Sequence, residues 1–516
     1  MSMIMGVESE YVILLFTPAG QADTKAAAIA LMSEARGRLT HLPSRRNGIF
    51  LASGARFYID AANHPEWCTA ECTNPTDAVC QVRAGERHLR QLVERIPGAV
   101  LLRCNVSYAR PCATWGCHES HMHTCSRPHL RQVLRPHLLT RIIYTGSGGL
   151  DPFDPRIVFS LSPRSMHFDR FGSSLHASSC LDGRDEALAR RPFKRAHVIL
   201  GESVSLDLPL WLRLATTSLL VHLTNEGLLT PKQVPSIEDP AAALHAIALD
   251  TSLTAPAGTA GSTLSALEIQ HAYLDLVERF MHHRSMPDWA PLACARWRAV
   301  LDMLAEGEAG AVGCCAWALK RQVMTQYLTR HGLDWQAVDH FNAVVERATS
   351  RPEVAPGVLG DLGIDLWESA QIRDWIVTEA RTQGLGRQDV KRFLELREDL
   401  CELDMRFDMV PGGISEALEP QIAGRVPEIT EDRIRHSMTW PPEDTRAAIR
   451  GRYIRRLSTD RDRYAASWAA IRDLRKRLRL DLSHPFCRRA RWKKARSTLR
   501  ARLIPRGLTL PPLEMD

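Results

Sequence analysis

No run of about 18 or more apolar residues occurs in the 516-residue chain, so no membrane-spanning helix is expected. The start, Met1-Ser2-Met3-Ile4-Met5-Gly6, has neither the basic segment nor the small-residue cleavage site of a secretory signal. A cytoplasmic protein is therefore expected. Paired C-x-x-C knuckles are missing too. The 13 cysteines are odd in number and scattered from Cys68 to Cys487, which reads as reduced thiols and not as a disulfide framework. Cys112, Cys117, His118, His121, His123 and Cys125 are zinc-ligand types within fourteen residues. Lacking the spacing of structural zinc sites, they are expected to form a strand–loop–strand piece.

What is present is the composition of a globular protein, 45% hydrophobic and 24% charged, long enough for one large domain and a smaller one. The net charge of +7 is unevenly placed: residues 471–506 hold 14 Lys/Arg against Asp473 and Asp481, a local excess of +12 that leaves about −5 elsewhere. Such a segment suits an acidic protein, a membrane surface or nucleic acid, or is simply a solvated basic helix. It carries Trp492 but no regular aromatic interleaving, which argues against a nucleic-acid stacking platform.

Along the chain, residues 6–16 read as one strand, 22–38 as an amphipathic helix, 49–60 as a second strand and 99–104 as a third. Helical periodicity then dominates, at 265–283, 292–306, 314–330, 335–349 and 389–400, with breaker-rich loops at 254–262 and 351–363. Residues 411–428 carry three Pro and three Gly and suggest a linker. The expected fold is α+β, an antiparallel sheet with helices on one side. Residues 1–420 form the expected main domain and 421–516 a small basic C-terminal domain.

Period-2 alternation puts Glu8 and Glu10 on one face of their strand, and Arg56, Tyr58 and Asp60 on one face of theirs. Carboxylates at this density repel one another unless cations lie between them. Oxygen ligands select Mg²⁺, which most often enters an enzyme with nucleotide phosphates. Glu66, Thr69 and Glu71 follow closely. The plainer alternative is a solvated sheet face whose acids pair with lysines.

Met5-Gly6-Val7-Glu8-Ser9-Glu10-Tyr11 resembles the opening of Pup ligases and Pup deamidases, members of the glutamine-synthetase-like carboxylate–amine ligases. Gly54-Ala55-Arg56-Phe57-Tyr58-Ile59-Asp60 and His64-Pro65-Glu66-Trp67-Cys68-Thr69-Ala70-Glu71-Cys72 resemble that family's core block. Gly116-Cys117-His118-Glu119, Leu161-Ser162-Pro163-Arg164-Ser165, His197-Val198-Ile199-Leu200-Gly201 and Pro441-Pro442-Glu443-Asp444-Thr445-Arg446-Ala447 follow in family order. Ala466-Ser467-Trp468 falls where the family has a tryptophan.

The resemblance implies a glutamine-synthetase-like curved antiparallel sheet that binds ATP with Mg²⁺. In such ligases a C-terminal glutamate of the small acidic protein Pup is phosphorylated and then joined to a substrate lysine. Deamidases convert a C-terminal glutamine to glutamate and remove Pup from lysines. Both belong to a pathway that feeds a bacterial proteasome. Carried over, Glu8, Tyr58 and Glu66 would hold Mg²⁺. Arg56 and Thr69 would contact ATP from the sheet, and Trp468 from the C-terminal domain. Asp60 would be the catalytic carboxylate, and Glu10 and His197 are further candidates for a second metal. The partners implied are a Pup-like protein and its lysine-bearing conjugates.

This chain also departs from the family. Residues 38–52 are too few for the insertion usual in deamidases, yet Glu71-Cys72-Thr73-Asn74-Pro75 and Thr145-Gly146-Ser147-Gly148 look closer to deamidases. Leu181-Asp182-Gly183-Arg184-Asp185-Glu186-Ala187 lacks a Pro-His pair found in the family, and Ser120-His121 stands where Asn-Tyr is usual. On balance the deamidase/depupylase direction is favoured over the ligase. The alternative is a family ligase acting on another peptide or on a small molecule.

Overall fold

The computed structural model describes residues 3–16, 23–44, 48–60, 62–110, 112–168, 188–258, 263–350, 370–418 and 426–494. The segment 181–187, the loop 351–363, part of the linker at 411–428 and the tail beyond 494 lie outside the described residues. The chain is α+β, as expected. A seven-stranded antiparallel sheet runs in the order Lys194–Val198, Cys117–His123, Met5–Glu10, Pro65–Cys68, Arg56–Ile59, Ile49–Leu51, His41–Pro43.

One face of the sheet is apolar because the Met5–Glu10 strand alternates, with Met5, Val7 and Ser9 buried. The helices Pro75–Val93 and Asp207–Asn225 join Met5 and Val7 in a single core. Asp207–Asn225 is buried on nearly every side, which explains its apolar composition all round. Asn74 starts Pro75–Val93 as an N-cap, accepting from the Asp77 backbone N–H at 2.8 Å, with Pro75 in the first turn. The opposite face carries Glu8, Glu10 and the polar residues of the neighbouring strands.

Two expected strands are each divided. Residues 6–16 form Met5–Glu10 and then Val12–Leu15, which pairs with Ala99–Leu102 in a separate three-stranded sheet. The burial alternation continues unbroken through Tyr11 and Ile13 across the switch of partner, so periodicity alone could not reveal it. Residues 49–60 form a hairpin, Ile49–Leu51 and Arg56–Ile59, turning at Gly54. Gly54 has φ +85°, and a Cβ there would lie 2.9 Å from Pro441 Cβ, so glycine is required twice over.

Helices form at Thr24–Arg38, Ala266–Arg279, Ala290–Ala305, Ala316–Arg330, Trp335–Thr349 and Arg387–Phe407, near the expected positions. Ala266–Arg279 opens with a capping box, Ser265 and Glu268 bonding each other's backbone N–H. Within the basic C-terminal segment, the described residues 471–494 form no helix. They contribute to a four-stranded sheet, Tyr464–Ser467, Ala470–Asp473, Leu478–Asp481 and Trp492–Lys494. Ile471, Leu480 and Leu482 lie in a core shared with Leu42 and Phe50 of the large sheet, next to the half-buried Arg472 and Arg479 and the exposed Asp481. The exposed Arg and Lys among these described residues thus sit in a turn of the sheet, in the loop before its last strand and on that edge strand. Among the described residues no helix is long and apolar enough to cross a membrane.

Candidate active site

Strand register assembles the site. Glu8 lies opposite His118 on one side and Cys68 on the other, and Cys68 lies opposite Arg56. One step along, Glu10 lies opposite Glu66, and Glu66 opposite Tyr58. Glu8, Tyr58, Glu66 and Arg56 therefore share one sheet face, as expected. The Arg56 guanidinium lies 3.9 Å from the centroid of the Tyr58 ring, a cation–π contact that fixes its direction.

The electrostatics of this face are those of crowded acids. Burial, then the charges of Glu8 and Glu10, push Glu66 well above the usual carboxylate range. Burial raises Glu10 as well, against the opposing pull of Arg164 and the Gly116 N–H, which donates to its Oε2 at 2.6 Å. Glu8 goes the other way. Burial would raise it, but Arg195, donating to Oε1 at 2.7 Å, and His197, 3.5 Å from Oε2, hold it well below the usual range. Burial, with the Cys68 thiol and the Glu66 and Glu8 carboxylates nearby, keeps Tyr58 protonated.

Donor atoms of Glu8, His118 and His197 all lie within 4.8 Å of one another, the one such group among the described residues. His118 Nε2 is buried without a hydrogen-bond partner. Burial, then Arg164 and His197, lower His118 well below the ordinary value and keep the imidazole neutral, the form that can coordinate a cation. Three carboxylates, a phenol and this imidazole are a donor set suited to divalent cations. The six-residue Cys/His run does not converge. His121 bonds Glu119 and Ser218 inside the core, His123 meets Cys125, and Cys112 is exposed.

Asp60 sits just past its strand. Its Oδ1 accepts from the backbone N–H of Ala62 at 2.9 Å and of His64 at 2.7 Å, and Oδ2 is 3.4 Å from His64 Nδ1. Burial would raise Asp60, but the bonds and charge of His64 lower it, so it is ionised at neutral pH. The Thr69 hydroxyl accepts from the Val7 N–H at 3.0 Å. Trp468 packs edge-on against Phe50, ring centroids 5.1 Å apart. Glu8, Thr69, Glu71, Arg195, Arg446 and Trp468 line a single cavity, so the sheet and the C-terminal sheet share it. Glu71 is bound by two arginines and is not available as a base.

Sequence reasoning missed Arg195, Arg446 and Arg450. Arg195 lies two residues before His197 on the Lys194–Val198 strand, so strand alternation carried its signal. Arg446 and Arg450, four apart, share a helix face.

A family profile described as Pup-ligase protein matches residues 3–344 and 358–472. A Pup–protein ligase of Bifidobacterium animalis subsp. lactis is 27% identical over 495 residues, 92% of this chain and 87% of the relative. A Pup deamidase/depupylase of Mycolicibacterium smegmatis is 32% identical over 303 residues, 56% of this chain and 60% of the relative. The fold is similar to that of the ligase PafA solved in complex with the prokaryotic ubiquitin-like protein Pup, with a TM-score of 0.72 at 20% identity over 95% of this chain and 90% of that one. PafA solved in complex with ADP gives a TM-score of 0.64 at 20% identity, over 86% and 87%. The strands that carry Glu8, Tyr58 and Glu66 lie within the matched span, as does Trp468, and the chain belongs to the Pup-ligase family of enzymes.

Proposed function

We propose that this chain is an ATP- and Mg²⁺-dependent enzyme that makes or hydrolyses the amide at the C-terminal Glu or Gln of a Pup-like protein. The observation that carries the reading is the acid-crowded sheet face, where register sets the buried Glu66 between Glu10 and Tyr58, burial and the charges of Glu8 and Glu10 push its carboxyl up, and Glu8 borders the cavity that Trp468 also lines. A divalent cation there would relieve the repulsion among the carboxylates and screen the triphosphate charge. The relative solved with ADP supports a nucleotide at this fold's site.

In this reading Glu8, Tyr58 and Glu66 hold Mg²⁺, with Tyr58 as a neutral oxygen donor. His118 and His197 beside Glu8 suit a second cation, because their donor atoms converge with those of Glu8, whereas Glu10 is not among that group. Arg56 and Thr69 bind nucleotide from the sheet, and Trp468 from the C-terminal unit. Asp60 is the catalytic carboxylate. Kept ionised and oriented by the His64 turn, it can accept a proton from an incoming amine or water, or attack the amide carbon itself. The division into 1–420 and 421–516 is part of the proposal, as are the link to a bacterial proteasome and the cytoplasmic location.

Of the two directions we carry forward hydrolysis, on the deamidase-like segments at 71–75 and 145–148. The test supplies ATP, Mg²⁺ and Pup-like peptides ending in Gln or Glu, the latter with a lysine acceptor. Ammonia release from the Gln peptide supports hydrolysis, and conjugation of the Glu peptide supports ligation. ATP turnover with free amino acids and with neither peptide would replace both by a small-molecule ligase.

A further inference from the structure

Thr445 caps the helix Arg446–Leu457, and its hydroxyl donates to the Glu71 carbonyl at 3.0 Å. Arg446 Nε donates to Glu71 Oε1 at 2.6 Å, and Arg450 Nη1 to the same oxygen at 3.0 Å. Arg450 Nη2 donates to Oε2. Arg446 is buried, Arg450 completely so, and the Glu71 side chain is 11% exposed. Arg450 also donates to the carbonyls of Gly54, at 2.8 Å, and Trp468, at 3.4 Å, and its guanidinium lies 4.8 Å from the Trp468 ring centroid. Arg446 reaches the Leu188 carbonyl at 2.7 Å, beside the same cavity. One carboxylate from the segment that follows the Pro65–Cys68 strand thus anchors the two arginines that hold the indole and the cavity wall.

Breaking a buried pair leaves uncompensated charge, and here two guanidiniums would lose their acceptor at once. They would turn to water, and the carbonyls of Trp468 and Leu188 would lose their fixed donors. We propose that Glu71 is a positioning residue: through Arg446 and Arg450 it latches the C-terminal unit to the sheet and sets the affinity of the shared cavity for nucleotide. The proposal rests on the nucleotide reading given above. Glu71 makes no contribution to the chemical step, because both its oxygens are engaged by arginine.

The test measures binding of a non-hydrolysable ATP analogue, and KM and kcat for ATP, in the wild type, Glu71→Gln, Glu71→Asp and Arg446→Lys. In Glu71→Gln, KM and the analogue Kd rise on the order of tenfold or more, while kcat at saturating ATP stays within about threefold. Glu71→Asp recovers part of the affinity because the charge is kept. Arg446→Lys, which leaves the Arg450 pair intact, gives a smaller rise and serves if Glu71→Gln does not fold. A general loss of stability would lower the amount of active enzyme without changing KM. Unchanged KM and Kd in folded variants overturn the latch, as does a fall in kcat alone. A wild type that binds no analogue overturns the nucleotide reading, and the latch with it.

Discussion

Replacing Asp60 by Asn separates chemistry from assembly. Asn keeps an Oδ1 that can accept from the Ala62 and His64 N–H groups, so the turn after the Arg56–Ile59 strand survives. What is lost is the charge and its contact with His64 at 3.4 Å, a pair about a fifth exposed on each side. Such a pair is worth about 1 kcal/mol or less, so the melting temperature should move by only a few degrees. Removing a positioned base costs about 10²–10⁴ in rate, or roughly 2.7–5.4 kcal/mol in the barrier. Asp60 is not among the residues proposed to hold the cation, so ATP affinity should stay within a few-fold of wild type. Isothermal titration with a non-hydrolysable analogue, beside a turnover assay on a Pup-like peptide, gives both quantities. Equal losses in the two assays would refute the reasoning and make Asp60 a cation ligand or a structural residue. Turnover within threefold of wild type would remove it from the chemistry.

Glu71 gives a pH signature. Burial raises its carboxyl, but Arg450 and Arg446 outweigh burial and bring it down to about 2. A lowered carboxyl stabilises fully above the ordinary value of 4.5 and loses that stability as pH falls toward 2. The urea-unfolding gap between wild type and Glu71→Gln should shrink by about 2 kcal/mol from pH 7 to pH 3, and a constant gap would contradict the ion pair. Trp468→Ala removes the indole from the cavity and should weaken nucleotide binding by about 1–3 kcal/mol, the worth of stacking one base. An unchanged Kd would place the base elsewhere. The exposed arginines and lysines of residues 471–494 should bind a Pup-like acidic peptide with an affinity that falls steeply as salt rises, because exposed charges are screened beyond about 8 Å at 0.15 M. Salt-independent binding would point to an apolar surface instead.

The site was legible where it depends on strand period and on family motifs. Glu8, Tyr58 and Glu66 share a face because alternation fixes it once the strands pair, and the register that pairs them brings Glu66 between Glu10 and Tyr58. What depends on contacts far apart in sequence was not legible. Glu71 read as a spare carboxylate, and only the approach of Arg446 and Arg450, some 375 residues later, makes it a latch. The basic tail read as a helix or a docking run because charge hides the alternation of Ile471 and Leu480 into the shared core. The switch of partners at Tyr11 left the period intact, so two strands read as one.

The central claim is that a nucleotide and a divalent cation meet on the acid-crowded face. The direct measurement is isothermal titration of a non-hydrolysable ATP analogue, with and without Mg²⁺, into the wild type, Glu8→Ala and Glu66→Ala. The account predicts tight binding to the wild type only when Mg²⁺ is present, and its loss in both variants while their unfolding remains cooperative. Wild-type affinity retained in either variant, or binding indifferent to Mg²⁺, would contradict it.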